Sequence, residues 1–144
     1  MYTTKNNKII KVKGETMVEI REPKSNELEQ LSSIYKDTFK KHNIFCEDEK
    51  TVQDYLKNKQ KTAEKYKGGF IVAVVDGNVA GGILAECKDV GQGSHLRWKL
   101  KHLAVKKDMQ GRGIAGELIS DAMKSIENEI TAGKMRSEIG RAHV

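Results

Sequence analysis

Leu103-Ala104-Val105-Lys106-Lys107-Asp108-Met109-Gln110-Gly111-Arg112-Gly113-Ile114-Ala115 is the stretch that decides the fold of this chain. It closes a segment, Arg97 to Val105, whose pattern predicts a strand with Trp98, Leu100, His102 and Ala104 on one face. It opens another, from about Gly113 to Ile130, in which Ile114, Leu118, Ile119, Ala122, Met123, Ile126 and Ile130 recur at helical spacing. Glu117, Asp121, Lys124 and Glu127 lie opposite them. The turn between strand and helix is rich in glycine. Gly111 and Gly113 permit close backbone approach, Arg112 adds charge, and the small Ala115 and Gly116 leave the helix terminus open. Several N–H donors then converge on one point together with the positive end of a helix dipole, which is what a phosphate-type anion requires.

Toward the N-terminus the two periodicities alternate. Phe70 to Val75 is a β-branched apolar run, Asp76-Gly77-Asn78 a tight turn, and Val79 to Cys87 a second strand, so the three strands before the turn form a meander with a further turn at Gly91 and Gly93. Before them come two helices. One is capped by Ser25 or Asn26, with Glu29 completing a capping box, and carries Leu28, Leu31, Ile34, Tyr35 and Phe39. The other begins near Asp48 with Val52, Tyr55, Leu56, Ala63 and Tyr66 on one side and solvated lysines on the other. Val18 and Ile20 mark a first short strand that Pro23 closes. The predicted order is β-α-α-β-β-β-α, an α/β (α+β) domain, with Gly133 expected to end the last helix.

The segment from Leu103 to Ala115, and the order of elements before it, resembles the GNAT superfamily of acyl-coenzyme A N-acyltransferases over roughly Met17 to Ile130. The short pattern alone is not specific; its place between a strand and the most amphipathic helix gives it weight. The resemblance implies a mixed, mostly antiparallel sheet flanked by helices, with the family's C-terminal strands and helix missing. It implies acetyl-CoA as acyl donor, backbone groups of Leu103, Ala104 and Val105 pairing with the pantetheine arm, and the pyrophosphate held by Gln110, Gly111, Arg112, Gly113, Ile114, Ala115 and Gly116. Dinucleotide and Walker-type loops fit less well, since neither Gly-x-Gly-x-x-Gly nor Gly-Lys-Ser/Thr occurs here.

Amide formation from a thioester calls for a base to deprotonate the amine and an acid for the departing thiolate. The resemblance points to the strand before the signature for the base, where His102 stands, and Glu86 at the end of the preceding strand is a second candidate; neither is assigned. The family's tyrosine acid falls in a segment after the signature helix, beyond this chain. Acceptor specificity is implied for the connection Lys40 to Glu47, with Phe39, His42 and Phe45 as candidate lining residues. The leading expectation is an N-acetyltransferase acting on a primary amine of a small molecule or peptide. A catalytically silent acyl-CoA-binding sensor is the alternative, and the full-length protein is a candidate homodimer.

Composition bounds these readings. The chain has 144 residues, 38% hydrophobic and 32% charged, with one proline, which suits a single globular domain. No apolar run approaches a membrane span and the N-terminus lacks a secretory pattern, so the cytoplasm is expected. Cys46 and Cys87 stand far apart without clustered histidines, which supports neither a disulfide framework nor a metal site. Half of the net charge of +6 sits in Lys5, Lys8, Lys11 and Lys13 against Glu15, and no basic stripe interleaved with aromatics suggests nucleic acid.

Both ends read as additions. Residues 138–144 resemble the translation of a sequencing-library adapter, so the natural sequence is expected to stop near Ser137. Lys13-Gly14-Glu15-Thr16 back-translates as a ribosome-binding site ahead of Met17, making 1–16 an expected untranslated or disordered leader and 17–137 the domain, incomplete at its end.

Overall fold

The apolar run at Phe70–Val75 forms the central strand of a five-stranded antiparallel sheet in the computed structural model, which describes residues 8–12, 16–41, 43–65, 69–89 and 96–142. In chain order the strands are β1 (Lys8–Val12), β2 (Thr16–Arg21), β3 (Phe70–Val75), β4 (Asn78–Asp89) and β5 (Leu96–Val105), and they neighbour one another in that order. Helices α1 (Leu28–Thr38) and α2 (Glu49–Lys65) connect β2 to β3, and α3 (Ile114–Ala142) follows β5. At the β3–β4 turn Asp76 (φ 50°) and Gly77 (φ 78°) both take positive φ, the twist a two-residue hairpin needs.

Because β3 is buried on both faces, its residues alternate between two cores. Phe70, Val72 and Val74 pack with Leu28, Leu31 and Tyr35 of α1 and Val52 and Leu56 of α2. Ile71 and Ala73 pack with Val18 and Ile20 of β2 and with Ile114, Leu118 and Ala122 of α3. Entry into α1 differs from the expected Ser25 or Asn26 cap: a 3-10 turn at Ser25–Glu27 precedes the helix, and Glu27 is buried. Its carboxylate accepts the Lys24 N–H at 2.8 Å and both terminal nitrogens of Arg21 at 2.7 and 2.8 Å. Burial opposes its charge, but the Arg21 guanidinium outweighs this and holds the carboxyl below the usual range. Helix α2 begins where expected, next to Asp48, whose carboxylate caps it by accepting the Thr51 N–H at 2.8 Å.

Within the expected leader, Lys8–Val12 form a strand, β1, which pairs with β2 from Lys8↔Ile20 to Val12↔Thr16. Three expectations are corrected. Asp121 is not on a solvated face but 5% exposed, because Lys8 of β1 reaches over to it at 3.4 Å and to Glu117 at 3.3 Å; burial pushes the Asp121 carboxyl above its ordinary value. On the apolar stripe, Ile114, Leu118, Ala122 and Ile126 are buried while Ile119, Met123 and Ile130 stay exposed. And α3 does not stop at Gly133 but runs to Ala142. A glycine inside a helix costs about 1 kcal/mol relative to alanine, and Ala132, Lys134, Met135 and Arg136 around it are all good helix formers.

The remaining correction sets the geometry of the site. Pairing of β4 with β5 shifts between Gly82↔Ala104 and Leu84↔Lys101, so β5 holds one extra residue and bulges. The phase of alternation reverses there. Leu100 packs on the α3 side and Ala104 on the α1–α2 side, so the expected single face of Trp98, Leu100, His102 and Ala104 is split. His102 takes a left-handed φ of 55°, which costs a residue with a Cβ about 1–2 kcal/mol.

Candidate active site

Among the described residues β5 lies at one end of the sheet order, so no described strand covers its outer edge. Lys106 donates its N–H to Ala80 O at 2.7 Å, fixing which groups point toward β4; by strand alternation those of Val105 and Leu103 point outward. The Val105 carbonyl is already engaged, accepting from Gln110 Nε2 at 3.0 Å. Gln110 therefore ties the turn to the strand end.

After a 3-10 turn at Lys107–Met109 the chain passes through Gly111 (φ 79°) and Gly113 (φ 87°). An added Cβ at either would meet nothing within 4 Å, so glycine is required here by backbone conformation and not by crowding. Left-handed residues on either side of Arg112 turn successive amides toward one concavity. The first α3 bond runs from Glu117 N to Gly113 O at 3.2 Å, so the amides of Ile114, Ala115 and Gly116 have no acceptor within the helix. Side chains divide the labour differently from the sequence reading: Ile114 is 1% exposed and anchors the core, and Arg112 Nη1 donates to Thr16 Oγ1 at 3.1 Å, away from the turn. Gly116 is exposed with open space around it.

Between this turn and the last half of α1 lies a cleft of about 470 Å³, lined by Val105, Lys106, Lys107 and Gln110 on one side and by Ile34, Asp37, Thr38 and Lys40 on the other. Lys106 and Lys107 are not singled out by the sequence reading, and Lys40 enters it only as the start of the Lys40 to Glu47 connection. Lysines are common on solvated faces, and their convergence depends on how α1 docks against β5.

Three residues back along β5 from Val105, His102 is 8% exposed among rings: centroids of Phe45, Tyr35, Tyr55 and Phe39 lie at 5.0, 5.8, 5.8 and 6.1 Å. Its Nε2 is 2.8 Å from the Tyr55 hydroxyl. Phe39 and Phe45 belong to this cluster, stacked at 5.6 Å; His42 lies outside the described residues. Glu86 is placed close by, but its carboxylate is held by Lys59 at 2.6 Å and Lys101 at 3.3 Å. Burial raises the carboxyl, and the two ammonium groups more than offset this, bringing it to about 2. A carboxylate so stabilised is a poor proton acceptor near neutrality.

A stability dependence follows. Because the folded-state value of Glu86 is depressed, its contribution is complete above the ordinary carboxylate value of 4.5 and is lost as pH falls toward about 2. The urea midpoint is expected to drop over that window. Glu86→Gln should flatten the drop and lower the plateau above it, since two half-buried lysines lose their counter-charge.

Residues 28–138 match the Acetyltransferase (GNAT) family. The chain belongs to the GNAT acetyltransferase family. No curated protein sequence matches it. Solved structures place this GNAT chain among acetyltransferases by fold. A predicted acetyltransferase from Clostridium acetobutylicum, solved with acetyl-CoA, is 15% identical with a TM-score of 0.61, covering 78% of this chain and 75% of that one. An N-acetyltransferase from Thermoplasma acidophilum, in complex with coenzyme A, is 19% identical with a TM-score of 0.57, over 78% and 73%. Diaminobutyrate acetyltransferase from Paenibacillus lautus, in complex with L-2,4-diaminobutyric acid and coenzyme A, is 17% identical with a TM-score of 0.53; the GNAT chain covers 57% of it, and 75% of the GNAT chain is matched. Among the described residues of the GNAT chain no helix is long and apolar enough to cross a membrane, and no cluster of His, Cys, Asp or Glu suited to a metal ion occurs.

Proposed function

We propose that this chain transfers the acetyl group of acetyl-CoA to a primary amine, with the turn from Gly111 to Gly116 binding the pyrophosphate and the open edge of β5 at Leu103 and Val105 receiving the pantetheine arm. The observation that carries this is the pair of left-handed glycines leading into α3, which leaves three helix-terminal amides and an unobstructed surface at one point. The neighbouring cleft is of a size for a slender, phosphate-bearing ligand, and its lysines complement one. Acetyl-CoA supplies an activated thioester; the protein supplies position, anion binding and exclusion of water. A cytosolic protein would meet both this donor and small amine acceptors.

Two measurements test the reading. Calorimetry with coenzyme A should show one site, and thiol release from acetyl-CoA should rise with an amine acceptor. L-2,4-diaminobutyric acid, an aminoglycoside and a lysine-containing peptide are suitable probes. Absence of coenzyme A binding by the folded chain would overturn the proposal, and binding without acetylation of any amine would reduce it to a sensor.

A further inference from the structure

We propose that Tyr55 and His102 form a proton-handling pair for acetyl transfer, Tyr55 facing the acceptor amine and His102 taking the proton through it. This rests on the N-acetyltransferase reading above and adds the residues that move the proton.

Three observations converge. His102 holds a left-handed backbone at the β5 bulge, a conformation that asparagine or glycine would adopt more readily, so packing alone does not account for the residue type. Its Nε2 is 2.8 Å from the hydroxyl of Tyr55, which comes from α2, forty-seven residues away in sequence. And the pair lies along β5 from the cleft, which neither residue lines: His102 is three residues from Val105, about 10 Å at strand rise, and Phe39, which packs on its ring, follows Thr38 of the cleft wall. A donor arm paired along the open edge from Val105 would thus run toward His102. Tyr55 is less buried than His102 and lies on the outer side of the pair. Glu86 is committed to Lys59 and Lys101; burial pushes the Tyr55 hydroxyl above its ordinary value and the Lys59 ammonium, 5.3 Å from the ring centroid, offsets this only in part, so the phenol gives up its proton only as it receives another.

The step balances without a further reactant. With Tyr55 O–H donating to Nε2, the acceptor nitrogen attacks the thioester carbonyl carbon and a C–N bond forms. The proton shed by that nitrogen passes to the Tyr55 oxygen as the phenol proton passes to Nε2. The C–S bond then breaks, and the proton returns by the same path to the departing thiolate, leaving both side chains as they began.

Tyr55→Phe keeps the ring and its packing and removes the relay. Its kcat is expected to fall about 100-fold, with KM for acetyl-CoA and the melting temperature little changed. His102→Asn suits the left-handed backbone, can still accept a hydrogen bond, and cannot take a proton. It should lower kcat similarly and remove the acidic limb of the pH–rate profile. The other ionisable groups around the pair, Tyr35 on α1, Lys59 on α2, Glu86 on β4 and Lys101 on β5, remain in both variants, so a limb lost with His102 belongs to it. If wild-type protein acetylates a probe amine and Tyr55→Phe retains more than half of kcat, the pair is structural and the inference fails alone. If wild type binds coenzyme A but acetylates none of the three probes, the parent reading fails and takes this one with it.

Discussion

Gly116→Glu is expected to weaken coenzyme A binding at least about 100-fold, about 2.7 kcal/mol, while leaving the protein as stable as before or more so. The two effects have separate causes. Gly116 lies in the first turn of α3 with ordinary helical φ, and an added Cβ meets nothing within 4 Å, so neither strain nor overlap attends the substitution. Replacing glycine in a helix gains about 1 kcal/mol, and a carboxylate in the first turn interacts favourably with the helix dipole. That same carboxylate occupies the anion's place and repels it. Calorimetry and a thermal melt on one preparation read both quantities. Unchanged affinity would remove the pyrophosphate from this turn. Gly113→Glu should also abolish binding, but its left-handed φ of 87° adds backbone strain, so a loss there has two explanations where Gly116→Glu has one.

The second large effect is on stability. Gly81→Ala is expected to destabilise the protein by about 3 kcal/mol, read as a lowered urea midpoint. A Cβ at Gly81 would stand 2.5 Å from the Ala104 carbonyl oxygen and 3.1 Å from Val105 Cα, backbone atoms that cannot rotate away. Relief requires β4 and β5 to separate where β5 bulges, displacing the outward-pointing groups of Leu103 and Val105. The variant should therefore bind coenzyme A less tightly even at temperatures where it is folded. At Gly82 the nearest atom is instead Leu31 Cδ1, at 2.8 Å, the end of a flexible side chain. Alanine is accordingly expected to cost less there, and the difference between the two positions checks the geometry.

What could be read in the sequence was local. The β-branched run at Phe70–Val75, the Asp76-Gly77 turn and the glycine pair entering α3 each impose their conformation on their own few residues, and each appears where the pattern puts it. What could not be read depends on partners distant in the chain. Lys8-Ile9-Ile10-Lys11 looks like part of a charged leader until Lys8 is seen across from Glu117 and Asp121. Strict alternation groups Leu100 with His102 and Ala104 on one face of β5, and the bulge puts Leu100 on the other. The one available signal was the adjacent pair Gly81-Gly82, which in a strand interior marks close backbone approach. Tyr55 was read as part of the apolar side of α2, and only the fold brings its hydroxyl to an imidazole. The candidate site is thus divided: its proposed anion-binding half is written in consecutive residues, and its proposed proton-handling half exists only after α1, α2 and β5 have packed together.

The Gln110 amide that caps the Val105 carbonyl bears on a different hazard. An uncovered strand edge invites a second copy of the same chain to add itself, the first step toward sheet-to-sheet aggregation. On β5 the last outward acceptor is already taken, and Lys99 and Lys101 lie on the strand with Lys106 just past its end, so two copies approaching edge to edge bring like charges together. A flexible uncharged arm escapes that repulsion and has only to exchange one hydrogen bond for another at Val105. The latch therefore acts as a filter, tolerant of a slender ligand and hostile to another β-sheet.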